Sequence, residues 1–277
     1  MRFGLKSFEH SEFWELKATS VADGLHDFCA HRCNADLLLI GSRGVTGVRR
    51  VLTGSISSAV IDAVDVPCLV VRSTAFVQDA PPFKLPTKAG QELTEPLAHP
   101  SRSRQVAFAL DGSDISSVLS TWAVRNFLRR DDYVTLLHST YGLDDFDTLR
   151  AVAKVASCVA DIQKLVGTSQ EAKDRVKTVR LEEHIEPREA LLQAVDKHGP
   201  FDVMVLGSRG GGTMARLRER LTGHGSVSTH LINYASCPVL VLSKKSLIEW
   251  LDKLVLTPET PVKGGGGQGT AAAAEAK

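Results

Sequence analysis

Residues 36–73, DLLLIGSRGVTGVRRVLTGSISSAVIDAVDVPCLVVRS, and residues 202–244, DVMVLGSRGGGTMARLRERLTGHGSVSTHLINYASCPVLVLSK, follow one pattern. Each reads as an apolar strand, the tetrapeptide GSRG, an arginine-bearing loop, a Gly-Ser pair, a helix, a Cys/Pro pair and a second strand. A repeat on this scale constrains the fold more than composition can, because each copy must be one supersecondary unit that buries its apolar face against a neighbour. The glycines of the first copy, Gly41, Gly44, Gly47 and Gly54, stand among Arg43, Arg49 and Arg50. Glycine is used where the backbone turns left-handed or something approaches it closely. Two readings follow: a set of tight turns, or backbone amides facing a bound anion.

The chain around the second copy alternates regularly. QVAFALDGS (105–113) is a short apolar run ending in a turn, hence a buried strand. Ile115, Val118, Leu119, Trp122 and Ala123 then recur at helical spacing, with Ser113 or Asp114 as cap. A strand over 132–139, a helix over 147–166, a strand over 177–184 and a helix opened by Pro187 and stopped by Gly199-Pro200 follow. DVMVLG, the glycine loop, a helix from Ser226 and PVLVLS complete the series. Such alternation predicts an α/β fold with a doubly wound, open, parallel five-stranded sheet over residues 104–245. Residues 1–73 read as a truncated half-domain of the same fold. SEFWELKA is expected as its third strand, and SVADGLHDFCAHRCN as a helix whose buried face holds Val21, Leu25, Cys29 and Cys33. Residues 74–103 read as a Pro-rich linker, and 246–277 as a short helix followed by a disordered, low-complexity tail.

Bulk properties exclude several classes. Lys and Arg total 33 against 32 Asp and Glu, so no global nucleic-acid footprint is expected. No apolar run approaches the ~20 residues of a membrane-spanning helix. The five cysteines are odd in number and scattered, and the charged start MRFGLKSFEHSEFW does not read as a secretory leader. Reduced thiols and a cytoplasmic location are expected. Cys29 and Cys33 lack further ligands nearby and read as core, as do Cys68 beside Pro67 and Cys237 beside Pro238.

GSRG, nine residues, then Gly-Ser (Gly41, Gly44, Gly54, Ser55) resembles the phosphate-binding signature of the universal stress protein family. The likeness covers about residues 11–73 and 104–245. It implies a Rossmann-like sheet ordered 3-2-1-4-5 and, as in many members, ATP or else AMP or ADP, with or without magnesium. Carried over residue by residue, it implies a nucleotide site of Asp111, Ser139, Gly207, Arg209, Gly210, Gly225 and Ser226, with Gly41, Gly44, Gly54 and Ser55 as a second, partial phosphate loop. The topology agrees independently: a crevice opens where the helices after strands 1 and 4 leave on opposite faces. This chain departs from the family pattern in its second copy, where fourteen residues instead of nine separate Gly210 from Gly225, bringing Arg216, Arg218 and Arg220. The resemblance also implies pairing through the last strand, within the chain (PCLVVRS with CPVLVLS) or in a homodimer.

Other motifs carry less. GGGTMA (210–215) has the glycine pattern of a dinucleotide fingerprint, but PVLVLSKK ends without the required acidic residue. His138 and His184 fall near the strand ends without a Ser or Cys partner. An adenine-nucleotide-binding stress module is therefore expected, without catalysis beyond weak ATP hydrolysis. The alternative is an interaction or dimerisation protein of the same fold that binds no nucleotide.

Overall fold

A computed structural model of the chain describes residues 14–41, 55–71, 103–167, 169–208 and 227–256. Its strands are β1 (Leu38–Gly41), β2 (Cys68–Val71), β3 (Gln105–Leu110), β4 (Tyr133–His138), β5 (Val176–Arg180), β6 (Val203–Ser208) and β7 (Val239–Ser243). The helices are α1 (Val21–Asp27), α2 (Ser55–Ala63), α3 (Asp114–Asn126), α4 (Asp145–Val166), α5 (Gln170–Asp174), α6 (Pro187–His198), α7 (Val227–Tyr234) and α8 (Lys244–Leu256). The strands form one seven-stranded sheet in the order β1-β2-β7-β6-β3-β4-β5.

β5-β4-β3-β6-β7 is the parallel 3-2-1-4-5 arrangement expected for the second unit. β3 is buried on both faces because it lies at the centre, and its run QVAFAL is correspondingly apolar without alternation. α4 presents Ala151, Val155, Cys158, Ile162 and Val166 to the core at spacings of three and four. Asp144 caps its start by accepting from the Asp147 amide. α3 packs Leu119, Trp122 and Ala123 into the core on one face of the sheet, together with Leu247 of α8. On the other face α6 contributes Leu191 and Val195, and α7 contributes Leu231 and Ile232.

The sheet does not stop at the second unit. β2 lies antiparallel to β7, with Cys68 opposite Val241, Leu69 opposite Leu240 and Val70 opposite Val239. The two copies are in identical internal register: Leu38 N–H donates to Pro67 O as Met204 N–H does to Pro238 O, both at 2.9 Å. Gly41 pairs with Val71 as Gly207 pairs with Leu242. Leu69 and Leu240 are thus equivalent residues facing each other, and a local two-fold relates the copies through that pair. Val60, Ile61 and Val64 of α2 and its end are at most 3% exposed and share one cluster with Leu231 and Ile232. Each such side chain is worth about 1.5–3 kcal/mol of burial, which is how so small a unit is held. Lys245 Nζ adds an ion pair to Asp65 at 2.5 Å, beside His26 of α1.

Two expectations for the first unit are corrected. Residues 14–18 of SEFWELKA form no strand. A third strand of this fold pairs with the second, as β5 pairs with β4, and the described first unit holds no such partner. Val21 is 57% exposed, and the buried side of α1 is instead Ala22, Leu25 and Cys29. α1 runs on into a π-helical turn closed by Cys33 N–H to Phe28 O, and Cys33 is exposed at its end. Residues 74–102 and the tail beyond Leu256 lie outside the described residues.

Candidate functional site

α3 leaves the end of β3 onto one face, and α7, following β6, packs on the other. β3 and β6 are parallel neighbours, Ala109 lying opposite Leu206, so Asp111 follows β3 at the level of Ser208. That divergence is the switch point at which open α/β sheets bind ligands.

The loop after β3 is organised by Asp111. Its Oδ1 accepts from the Ser113 amide at 3.0 Å and from the Ser116 hydroxyl at 2.8 Å, while its own amide donates to Ser116 Oγ at 3.2 Å. This Asx turn fixes an exposed carboxylate at that switch point, immediately before α3. Gly112 has φ +70°, and a Cβ there would lie 2.4 Å from Ala151 Cβ and 2.5 Å from Ala151 Cα. The loop therefore lies directly against the backbone of α4. Lys154 of α4 reaches back to Asp114 at 2.5 Å and holds that carboxyl below its usual range by hydrogen bonding and charge.

Ser139 stands at the same edge, one residue beyond β4, its amide donating to Leu110 O at 3.4 Å and its Oγ accepting from Tyr141 N–H. Gly207 lies within β6, where an added Cβ would meet Ile115 Cγ2 at 2.9 Å. The packing of α3 on the sheet accounts for this glycine, a reason distinct from close approach to phosphate. Gly41, its counterpart, has no described residue within 4 Å of that position. Arg209, Gly210, Gly225, Ser226, Gly44 and Gly54 lie outside the described residues, and Ser55 is described only as the first residue of α2.

His138 is 6% exposed at the end of β4, in register with Arg180 of β5. Arg180 pairs with Glu183 and reaches Thr140 Oγ1. Burial, and then the Arg180 charge, hold the imidazole below its ordinary 6.5. A folded-state value below the unfolded one means that the unfolded chain protonates first. Stability is full above pH 6.5, falls as the pH drops below it, and levels off once the folded value is passed. His230, also lowered by burial, acts in the same direction. His138→Gln is expected to flatten, without abolishing, the loss of denaturation free energy between neutral and mildly acidic pH. An unchanged slope would refute the assignment. His184 is 79% exposed and pairs with Glu182.

Burial pushes the thiols of Cys68 and Cys237 up to about 12 and about 11, so both are inert core groups, as expected. Among the described residues no cluster of three or more His, Cys, Asp or Glu is arranged to hold a metal, and no helix is long and apolar enough to cross a membrane. Ser116 and Gly112 escaped the sequence reading as site residues. The signal for Ser116 was present in DGSDIS, where Ser116 falls within the first turn of α3. The contact of Gly112 with α4 has no local signal.

The model of the universal stress protein family matches residues 12–72 and 103–243, and the chain belongs to that family. No curated protein matches it. Among solved structures, it is similar to a universal stress protein from Archaeoglobus fulgidus at 19% identity and a TM-score of 0.47, covering 80% of this chain and 64% of that one. The chain thus spans less than two thirds of the length of that protein. A second Archaeoglobus fulgidus universal stress protein shares 21% identity over 50% of this chain and 93% of its own, with a TM-score of 0.37. A family protein from Arabidopsis thaliana, solved with AMP bound, shares 22% identity over 57% and 97% of the two chains, with a TM-score of 0.36.

Proposed function

We propose that this member of the universal stress protein family binds an adenine nucleotide, ATP or else AMP or ADP, at the crevice between β3 and β6 and acts in stress response or signalling. The observation that carries the reading is the Asp111 turn: a carboxylate preorganised by Ser113 and Ser116 at the switch point of the sheet. A carboxylate there accepts hydrogen bonds from ribose hydroxyls or the adenine amine, and the main chain at Ser139 offers a second contact to the base. The described residues suit the nucleoside half of such a ligand. The phosphate half of the assignment rests on Arg209, Gly210, Gly225 and Ser226. Nucleotide serves here as a conformational ligand. Asp111 Oδ1 is committed to its own loop, and the reading assigns no catalytic residue, so hydrolysis is at most slow.

The test is direct. Protein purified without added nucleotide is denatured and the supernatant analysed for adenine nucleotide. In parallel, ATP and AMP are added to nucleotide-free protein, with and without magnesium. A micromolar ligand corresponds to about −8 kcal/mol, and at a hundredfold excess over Kd it stabilises the fold by about 2.7 kcal/mol. A rise of several degrees in Tm is therefore expected, and Asp111→Ala is expected to weaken binding at least about tenfold, the loss of one charged hydrogen-bond partner. Absence of both released nucleotide and thermal shift overturns the reading. Binding that survives Asp111→Ala moves the site elsewhere.

One observation favours a second reading, an interaction protein that binds no nucleotide. The β2–β7 ladder already uses the fold for pairing between two units. That reading stands if the nucleotide experiments fail.

A further inference from the structure

β1 and β6 are equivalent strands in equivalent register, yet their outer sides differ completely. β6 pairs with β3, and α3 lies over its face. Val205 is 0% exposed and Val203 6%. Their counterparts in the first unit, Leu39 and Leu37, are 64% and 43% exposed, and among the described residues β1 pairs with β2 alone. The two glycines repeat the contrast: Ile115 of α3 fills the space at Gly207, while no described residue fills it at Gly41. Next to this face, α8 turns the side bearing Lys245 toward Asp65, and Ile248, one turn on, is 46% exposed.

We infer that the free edge of β1 and the bare face carrying Leu37 and Leu39 dock a strand–turn–helix unit of another polypeptide, in the manner of β3–α3 on β6. The internal copy specifies the occupant. It presents an apolar strand parallel to β1, a tight turn, and an amphipathic helix with a β-branched residue over Gly41, as Ile115 lies over Gly207. Strand addition satisfies the edge of β1 that no described strand pairs, and the helix removes Leu37 and Leu39 from water. A second copy of this chain fits less well. Antiparallel pairing of β1 with itself needs a two-fold perpendicular to the sheet. That operation joins the edges but leaves both leucine faces uncovered.

The probe is a fluorescent synthetic peptide, Arg104–Leu128, which contains β3 and α3, titrated into the full chain and followed by anisotropy. Saturable binding is expected. Leu39→Lys, which puts a charge on the bare face, and Gly41→Val, which fills the space intended for the helix, are each expected to weaken it at least about tenfold. Gly41→Val should leave the Tm of the chain nearly unchanged, since no described residue lies within 4 Å of the added Cβ. That separates loss of docking from loss of fold. No saturable binding overturns the inference. So does binding that neither substitution weakens, which signals exchange with the chain's own β3–α3. A Leu39-dependent dimer in sedimentation that excludes the peptide assigns the edge to a second copy and also overturns it.

Discussion

Gly112→Ala is expected to destabilise the protein by about 2–5 kcal/mol, the sum of a left-handed backbone for a residue with a side chain and overpacking of a close contact. Both contributions are read from one place. At φ +70° an L-side chain is strained whatever the space, and here the space is absent, the added carbon falling 2.4 Å from Ala151 Cβ and 2.5 Å from Ala151 Cα. The second obstacle is backbone-adjacent and belongs to a twenty-two-residue helix, so it does not swing aside as a flexible side chain would. Truncating the neighbour as well, with Ala151→Gly, removes the Cβ clash but neither the Cα overlap nor the strain. Only partial rescue is expected. Urea denaturation of the single and double variants measures both. Because Gly112 follows Asp111, any surviving Gly112→Ala protein should also lose affinity for the nucleotide proposed to bind there. A loss below about 1 kcal/mol, within the range of ordinary surface changes, would show that α4 does not lie against this loop.

The second large effect lies away from the crevice. Asp132 is 0% exposed, and Arg104 holds it with a two-point clamp, Nε to Oδ1 at 2.9 Å and Nη2 to Oδ2 at 2.6 Å. The Arg129 amide donates to Oδ2, Arg104 also donates to Phe127 O, and its guanidinium lies 4.8 Å from the centre of the Phe127 ring. The group ties the turn between α3 and β4 to the start of β3. Arg104→Met keeps much of the packing but leaves a buried carboxylate without its cation, and about 3–5 kcal/mol should be lost. Lysine cannot reproduce the planar two-point contact and should rescue only in part. The informative variant is the double one, Arg104→Met with Asp132→Leu. Removing both charges takes away the uncompensated group, so most of the stability should return. A double variant as unstable as the single one would mean that packing around Phe127, not the ion pair, is responsible.

Much of the second unit was legible in sequence because its signals are local. An apolar run ending in Asp-Gly marks β3, a spacing of three and four marks α3 and α4, and Pro187 and Gly199 bracket α6. Asp111 was likewise legible as the residue that follows the first strand at the switch point. The Arg104–Asp132 clamp was not, since its members are 28 positions apart and each reads alone as a charged loop residue. The expected strand SEFWELKA failed for a related reason. Its composition suits a strand, but a strand exists only where a neighbour offers hydrogen bonds, and none of the described strands does so there.

Taken alone, the order of residues determined the repeat, the α/β class, the arrangement of the parallel strands in the second unit and the position of its switch point. Periodicity, turn chemistry and the order of elements along the chain are all short-range properties. Tertiary structure alone decided that the two units share one sheet through Leu69 and Leu240, that the missing side chain of Gly207 makes room for Ile115, and that Leu39 is bare where Val205 is covered. Two nearly identical strands acquire opposite fates because burial depends on what lies beside a residue in space, and a local pattern carries no record of that.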